Sequence, residues 1–304
     1  MFDLNQLQKA ISARLSNASF LLCGEEVRRW ANGMFSNNIR SLAQGSGNYS
    51  AICNDRGQVQ GFLHLHCLDE DRFLCTLDGI SQEDFVQRFN MFMILDDIEL
   101  EEHSNSLLYL CGEKANDILS TLGLPIPELH QIIELKNGWI ASSLRFGEEG
   151  FDCILPETLL QTIEENAHSC TEEDMDALRI FNGRAGWPMD GSEKTMIHEL
   201  AVNELCCSFN KGCYVGQEII NRIDVKGLIN KKLHRLELKN LQDKVNIGDT
   251  IVYQDKAVGT ISSMARVVES GQEKCIVLSV LRKTAWNAEE LHTDKGTVVH
   301  HSSR

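Results

Sequence analysis

Asn210-Lys211-Gly212-Cys213-Tyr214-Val215-Gly216-Gln217-Glu218 is the stretch on which the reading of this chain turns. Two glycines flank a cysteine and a tyrosine, a lysine precedes them, and a carboxylate closes the run. Three physical readings compete. In the first, Lys211, the backbone N–H groups of a glycine-rich turn and Arg222 stabilise a Cys213 thiolate, since positive neighbours lower a thiol's pKa and the thiolate is the reactive form. In the second, Cys206, Cys207 and Cys213 with His198 hold a metal, although the C-C-x5-C spacing departs from the C-x2-C pattern usual for such sites. In the third, Gly212 and Gly216 only let the backbone bend into a helix, GQEIINRI, whose Ile219, Ile220 and Ile223 pack inward.

The rest of the chain bounds the choice. It has 304 residues, 42% hydrophobic and 24% charged, with a net charge of −15. That is the profile of a soluble globular protein with room for two or three domains. The acidic balance argues against broad binding of nucleic acid, which relies on many Lys and Arg at phosphates. The one basic concentration is Lys226, Lys231, Lys232 and Arg235. No run of about 18 apolar residues marks a membrane span. The N-terminus, MFDLNQLQKAISARL, reads as a polar helix without the apolar stretch of a signal peptide. Eleven cysteines sit mostly in apolar runs, among them LLC at 21–23 and FDCIL at 151–155. In a large chain without a signal they point to a reducing cytoplasm, most of them acting as small buried hydrophobes.

A weak repeat organises the first two thirds. Phe20-Leu21-Leu22-Cys23-Gly24-Glu25 and Leu108-Tyr109-Leu110-Cys111-Gly112-Glu113 each read as a strand, a Cys-Gly-Glu turn and then a helix. Two such units predict two related α+β domains. Ser81 to Asp84 reads as a capping box before a helix with Phe85, Phe89, Phe92 and Met93 on one face. Pro156 starts a helix carrying Leu159, Leu160 and Ile163, and Thr171 to Asp174 caps another that runs toward Gly183. From Leu233 onward, short β runs separated by Gly-Asp, Gln-Asp-Lys and Ser-Gly turns predict a small all-β barrel. The expected domains are 1–105, 106–230 and 231–304, with the first two boundaries approximate and open to interleaving.

Lys211 to Glu218 resembles the signature of the folate-binding YgfZ family, relatives of the glycine-cleavage T-protein, an aminomethyltransferase. The resemblance continues through Ile219 to Arg222 and Lys226-Gly227, and weakly over about 20–299. It implies an α+β fold of three domains in a ring around a central hole, the last a β barrel, with tetrahydrofolate or a derivative near the centre. It also implies support of iron–sulfur proteins, including those that thiomethylate tRNA, through the motif cysteine, here Cys213. Lys211 is then expected to keep that thiol partly ionised, and Tyr214 and Glu218 to shape its loop. Gly147-Glu148-Glu149-Gly150-Phe151-Asp152 resembles a T-protein run whose last carboxylate binds the pterin, which places Asp152 on the ligand. Asp176 to Ile180 followed by Gly183 resembles the segment of a folate-contacting arginine, here Arg179. Trp187 lies just beyond it and is available to stack on a flat ring. Arg222 is the remaining candidate for the cofactor.

The match also fails in places. The T-protein's catalytic aspartate pair aligns with Gly61 and Phe62, which cannot handle a proton. Met34-Phe35-Ser36-Asn37-Asn38 is a degenerate form of the family's start, and of the motif that usually precedes the cysteine only Glu199 remains. An accessory protein is therefore favoured over an enzyme. Its expected partners are folate and iron–sulfur client proteins, with no membrane. A folate-dependent one-carbon transferase and a stable metal-binding protein are the alternatives.

Overall fold

Gly24 and Gly112 close the two Cys-Gly-Glu turns, with φ of 141° and 103°. A Cβ on Gly24 would lie 2.6 Å from the Asp97 carbonyl oxygen, and one on Gly112 would lie 2.3 Å from that of Lys9. Only glycine lets the backbone pass there, so the sequence repeat marks two equivalent corners. The computed structural model containing them describes residues 1–302 apart from 228 and 243. Residue 228 of the basic stretch and residues 243, 303 and 304 of the C-terminal segment lie outside the described residues.

The corners open two units of the same plan. In the first, the strands Ser19–Cys23, Gly47–Cys53, Val59–Cys67 and Arg72–Asp78 lie in spatial order 2-3-4-1, with helices Val27–Met34 and Gln82–Leu95 after strands 1 and 4. In the second, Ser106–Cys111, Ile132–Leu135, Gly138–Ser143 and Gly150–Leu155 repeat that order, with helices Ala115–Thr121 and Glu157–Asn166 in the same places. Alternation along the strands builds the layers. Leu22, Cys75 and Leu77 face Phe85, Phe89 and Trp30 of the first helices. Leu108, Leu110 and Cys153 face Ile118, Leu160 and Ile163 of the second pair. Leu21 and Leu74 meet Leu107, Trp139 and Ile154 between the two sheets. The result is a helix–sheet–sheet–helix stack.

The C-terminal segment forms a closed six-stranded antiparallel barrel. Its strands are Lys231–Leu238, Thr250–Tyr253, Lys256–Glu269, Gln272–Arg282, Leu291–Thr293 and Val298–His301, and pairing of the third with the fourth completes the ring. The helix Glu172–Phe181 packs Met175, Leu178 and Phe181 against barrel residues Val267, Ile276 and Leu278.

The N-terminus is not a helix as its polarity implied. Phe2–Asp3 runs parallel to Val267 and Val268 of the barrel, Leu4–Gln8 is a single 3-10 turn, and Ile11–Leu15 pairs with Ser106–Cys111 of the second sheet. Unsatisfied strand edges on two neighbouring units override a weak local helix preference. These residues therefore serve the other two units rather than the first. Phe92 also departs from expectation: Phe85, Phe89 and Met93 are buried, whereas Phe92 is 45% exposed. The expected caps form. Ser81 Oγ accepts the Asp84 N–H at 3.0 Å, and Thr171 and Asp174 make a reciprocal capping box. Among the described residues no helix is long and apolar enough to cross a membrane.

Candidate functional site

The three units meet around a cavity of about 900 Å³. The first sheet contributes Tyr49, His64 and Asp78; Leu144 and Arg145 leave the second. Arg179 comes from the helix against the barrel, Arg184 to Trp187 from the loop after it, and Met264 to Arg266 from the barrel itself. This volume falls within the roughly 300–1,000 Å³ of small-molecule sites. Trp187 is held on the wall by two glycines: a Cβ at Gly79 would lie 2.8 Å from its Cδ1, and one at Gly191 would lie 2.4 Å from its Cζ3. Opposite in character is a polar ladder on adjacent strands. The Tyr49 hydroxyl donates to Asp78 Oδ2 at 2.9 Å, and the Tyr49 ring lies 4.7 Å from that of His64.

Asp152 reaches this cavity only through Arg145. Arg145 Nε donates to Asp152 Oδ1 at 3.0 Å and Nη2 to Oδ2 at 2.6 Å, and both side chains are almost wholly buried. Such a fork matches a carboxylate edge to edge. Burial opposes the Arg145 charge, but Asp152 outweighs it and the guanidinium pKa rises. Arg145 Nη1 is buried without a hydrogen-bond partner among the described residues. His64 is driven far below its ordinary pKa, first by burial and then by the charges of Arg145 and neighbouring cations, so it is neutral.

Arg179 is a rivet. Its Nε donates to Asp176 at 2.7 Å, Nη1 to the Arg184 carbonyl at 2.6 Å and to Asp190 at 2.8 Å, and Nη2 to Ser263 at 3.2 Å. A Cβ at Gly186 would lie 2.6 Å from its Cζ, so glycine is required where the loop crosses the guanidinium. Arg222 is exposed on the helix Gln217–Lys226 and does not line the cavity.

The motif loop lies elsewhere on the molecule. All eleven cysteines are free, and Cys213 alone is exposed; it does not line the cavity. Gly216 has φ of 82°, and a Cβ there would lie 2.6 Å from the Asn54 carbonyl oxygen. That close approach pins the loop to the turn at Asn54 to Gly57. Gly212 has open space around it, so sterics require glycine at only one of the two positions. Of the three isoleucines expected to face inward, Ile220 alone is fully buried. Glu218 is exposed in the first turn of the helix.

Lys211 turns its ammonium to the carbonyls of Phe35 at 2.7 Å and Asn37 at 2.5 Å and lies 4.9 Å from the Tyr214 ring centroid. The degenerate Met34 to Asn38 stretch is thus the seat of the motif lysine. Burial lowers the Lys211 pKa to about 8. Cys207 is the thiol drawn below its ordinary range, mainly by the Cys206 thiol and further by the Ser36 and Tyr214 hydroxyls. Among the described residues no three His, Cys, Asp or Glu side chains are arranged to hold a metal, so Cys206, Cys207, Cys213 and His198 make no such set.

Sequence reasoning missed Arg145, Tyr49, His64, Asp78 and Arg184. Asp78 had a usable signal, since it ends an apolar strand just before Gly79. It pairs across the sheet with Phe62, one of the two positions where the aligned carboxylates are absent.

Comparison with known proteins agrees with this architecture. The sequence profile of the GCVT N-terminal domain family matches residues 15–127. A protein of Blochmanniella pennsylvanica (strain BPEN) described as tRNA-modifying protein YgfZ is 25% identical over 232 residues, 71% of this chain and 67% of that one. One of the same description from Hamiltonella defensa subsp. Acyrthosiphon pisum (strain 5AT) is 22% identical, over 70% of this chain and 65% of its own length. An uncharacterized protein of Haemophilus influenzae is 20% identical over 79% of each chain. The crystal structure of glycine cleavage system aminomethyltransferase T from Bartonella henselae superposes with a TM-score of 0.87 at 18% identity, over 99% of this chain and 88% of that one. The fold is therefore the three-unit aminomethyltransferase fold.

Proposed function

From its place in the YgfZ/GcvT-like family, we propose that this chain is a cytoplasmic folate-binding accessory protein for iron–sulfur enzymes, including enzymes that thiomethylate tRNA. The observation that carries the reading is the division of labour between two places. A large cavity with flat and polar walls sits where the three units join, and a single exposed cysteine stands outside it.

Tetrahydrofolate, or a derivative, fits the cavity's chemistry. Trp187 offers a ring face for a bicyclic ring, Tyr49 is itself stacked on Phe62, and the buried, unpartnered Arg145 Nη1 offers a donor to an acceptor-rich ligand. Bound there, the folate is a carrier of a one-carbon unit. Asp152 acts on the ligand through Arg145, Arg179 holds the wall in shape, and Arg222 belongs to the outer helix beside the motif. Cys213 handles sulfur, iron or a cluster intermediate transiently. Lys211, Tyr214 and Glu218 fix the loop that presents it, and the tRNA-modifying description of two relatives supports a client of that kind. The test is replacement of Cys213 by Ala in a strain lacking the native copy. Iron–sulfur enzyme activities should fall to the level of the empty strain, and normal activities would remove the proposal.

Asp78 supports a second reading as a folate-dependent one-carbon transferase. It is a cavity-lining carboxylate held by the Tyr49 hydroxyl, cross-strand from the position of the missing acid. Formation of methylene-tetrahydrofolate from an aminomethyl donor, lost in Asp78→Asn, would establish it.

A further inference from the structure

The guanidinium groups left uncommitted in the cavity decide what kind of molecule it takes. Arg179 is not one of them, since all three of its nitrogens are engaged by protein partners. Arg145 uses two nitrogens on Asp152 and leaves Nη1 buried without a partner among the described residues. Arg184 lines the same cavity. It is half-buried, and its guanidinium makes no hydrogen bond or ion pair with the described residues. Burial lowers its pKa, with only the Tyr49 and Tyr109 hydroxyls acting the other way. No carboxylate compensates it. Of the six acidic side chains lining the cavity, Asp78 accepts from the Tyr49 hydroxyl, Asp176 is taken by Arg179, Asp174 by the cap at Thr171 and Glu172 by the Ser16 N–H, while Glu173 and Glu204 are exposed and make no ion pair with Arg184.

A cation held in a recess without an anionic partner is unfavourable, and a ligand anion relieves it. Resting on the folate reading, we propose that Arg184 and Arg145 form a carboxylate-recognising subsite. Arg184 pairs with a carboxylate of an aromatic acyl-amino-acid ligand, and Arg145 Nη1 donates to an acceptor oxygen of the same molecule. Specificity then resides in the anionic tail of the ligand, and the ring is held by stacking on Trp187.

The experiment is anaerobic calorimetry of wild type, Arg184→Gln and Arg184→Lys with three probes: tetrahydrofolate, p-aminobenzoylglutamate, and tetrahydropterin without the tail. Arg145 is left intact, because removing it strands Asp152. Arg184→Gln should weaken tetrahydrofolate and p-aminobenzoylglutamate by about tenfold and flatten the salt dependence of binding. Arg184→Lys should recover part of the affinity, and tetrahydropterin should bind wild type and Arg184→Gln alike. Tetrahydrofolate binding that Arg184→Gln leaves within twofold of wild type overturns the subsite alone. Arg184-dependent binding of p-aminobenzoylglutamate, with none of tetrahydropterin or tetrahydrofolate, overturns the folate reading and keeps the subsite. Wild type that binds none of the three at millimolar concentration overturns both.

Discussion

Arg145 and Asp152 show how far a single residue's role depends on what faces it. Each is buried and each is the other's counter-charge, so removing one leaves an unpaired charge in the interior. Asp152→Ala should therefore destabilise the chain by about 3–5 kcal/mol, and Arg145→Met with Asp152→Leu by clearly less than the sum of the single changes. Urea unfolding of wild type, Asp152→Ala, Arg145→Met, Asp152→Leu and the double variant measures both. The run Gly147 to Asp152 singled out Asp152 as a ligand-binding carboxylate, whereas in the structure both its oxygens are taken by Arg145 and it does not line the cavity. Arg145 was not legible in the sequence, because its partnership arises from the hairpin joining Gly138–Ser143 to Gly150–Leu155.

Exposure makes a second prediction at this scale. Brief alkylation should modify Cys213 first, and mass spectrometry of Cys213→Ala should show the first adduct gone. Lys211 makes a third. Its folded pKa, about 8, lies below the usual lysine value, so between that pH and about 10.4 the unfolded chain binds the extra proton. The Lys211 contribution therefore improves as pH rises through this window and is least favourable below it. The stability of wild type relative to Lys211→Met should rise from pH 7.5 to pH 9.5, and a flat difference would contradict the assignment.

Helices and strands were read from the sequence where the signal was local. The caps at Ser81 and Thr171, the helix after Pro156 and the alternation of the barrel strands all carry their own instructions. Thr171→Ala should cost about 1 kcal/mol by loss of the capping box at 171–174. What failed was the N-terminal segment, where the deciding partners lie about 100 and 265 positions away in the chain. The face of the helix Gln82–Leu95 was read one residue too wide. Phe89→Ala should cost about 3–5 kcal/mol, whereas Phe92→Ser should change stability by less than about 0.5 kcal/mol. Thermal unfolding of the pair separates the core face from the outer one, where Met91, Ile94 and Leu95 are also exposed.

At the scale of the whole molecule, the architecture followed from one eight-residue motif and a repeated six-residue corner. The cavity did not, since its wall is assembled from the first sheet, the second sheet, a loop and the barrel. No single stretch of chain encodes that convergence. The same assembly leaves the exposed Cys213 thiol off the cavity wall.

The most direct measurement of the central claim is an anaerobic calorimetric titration of wild type and Trp187→Ala with tetrahydrofolate, with thermal unfolding confirming that both are folded. The account predicts saturation at one tetrahydrofolate per chain in wild type, and binding weakened at least about tenfold when the stacking face is removed. A folded wild type with no saturable binding, or equal affinity in the two proteins, would contradict it.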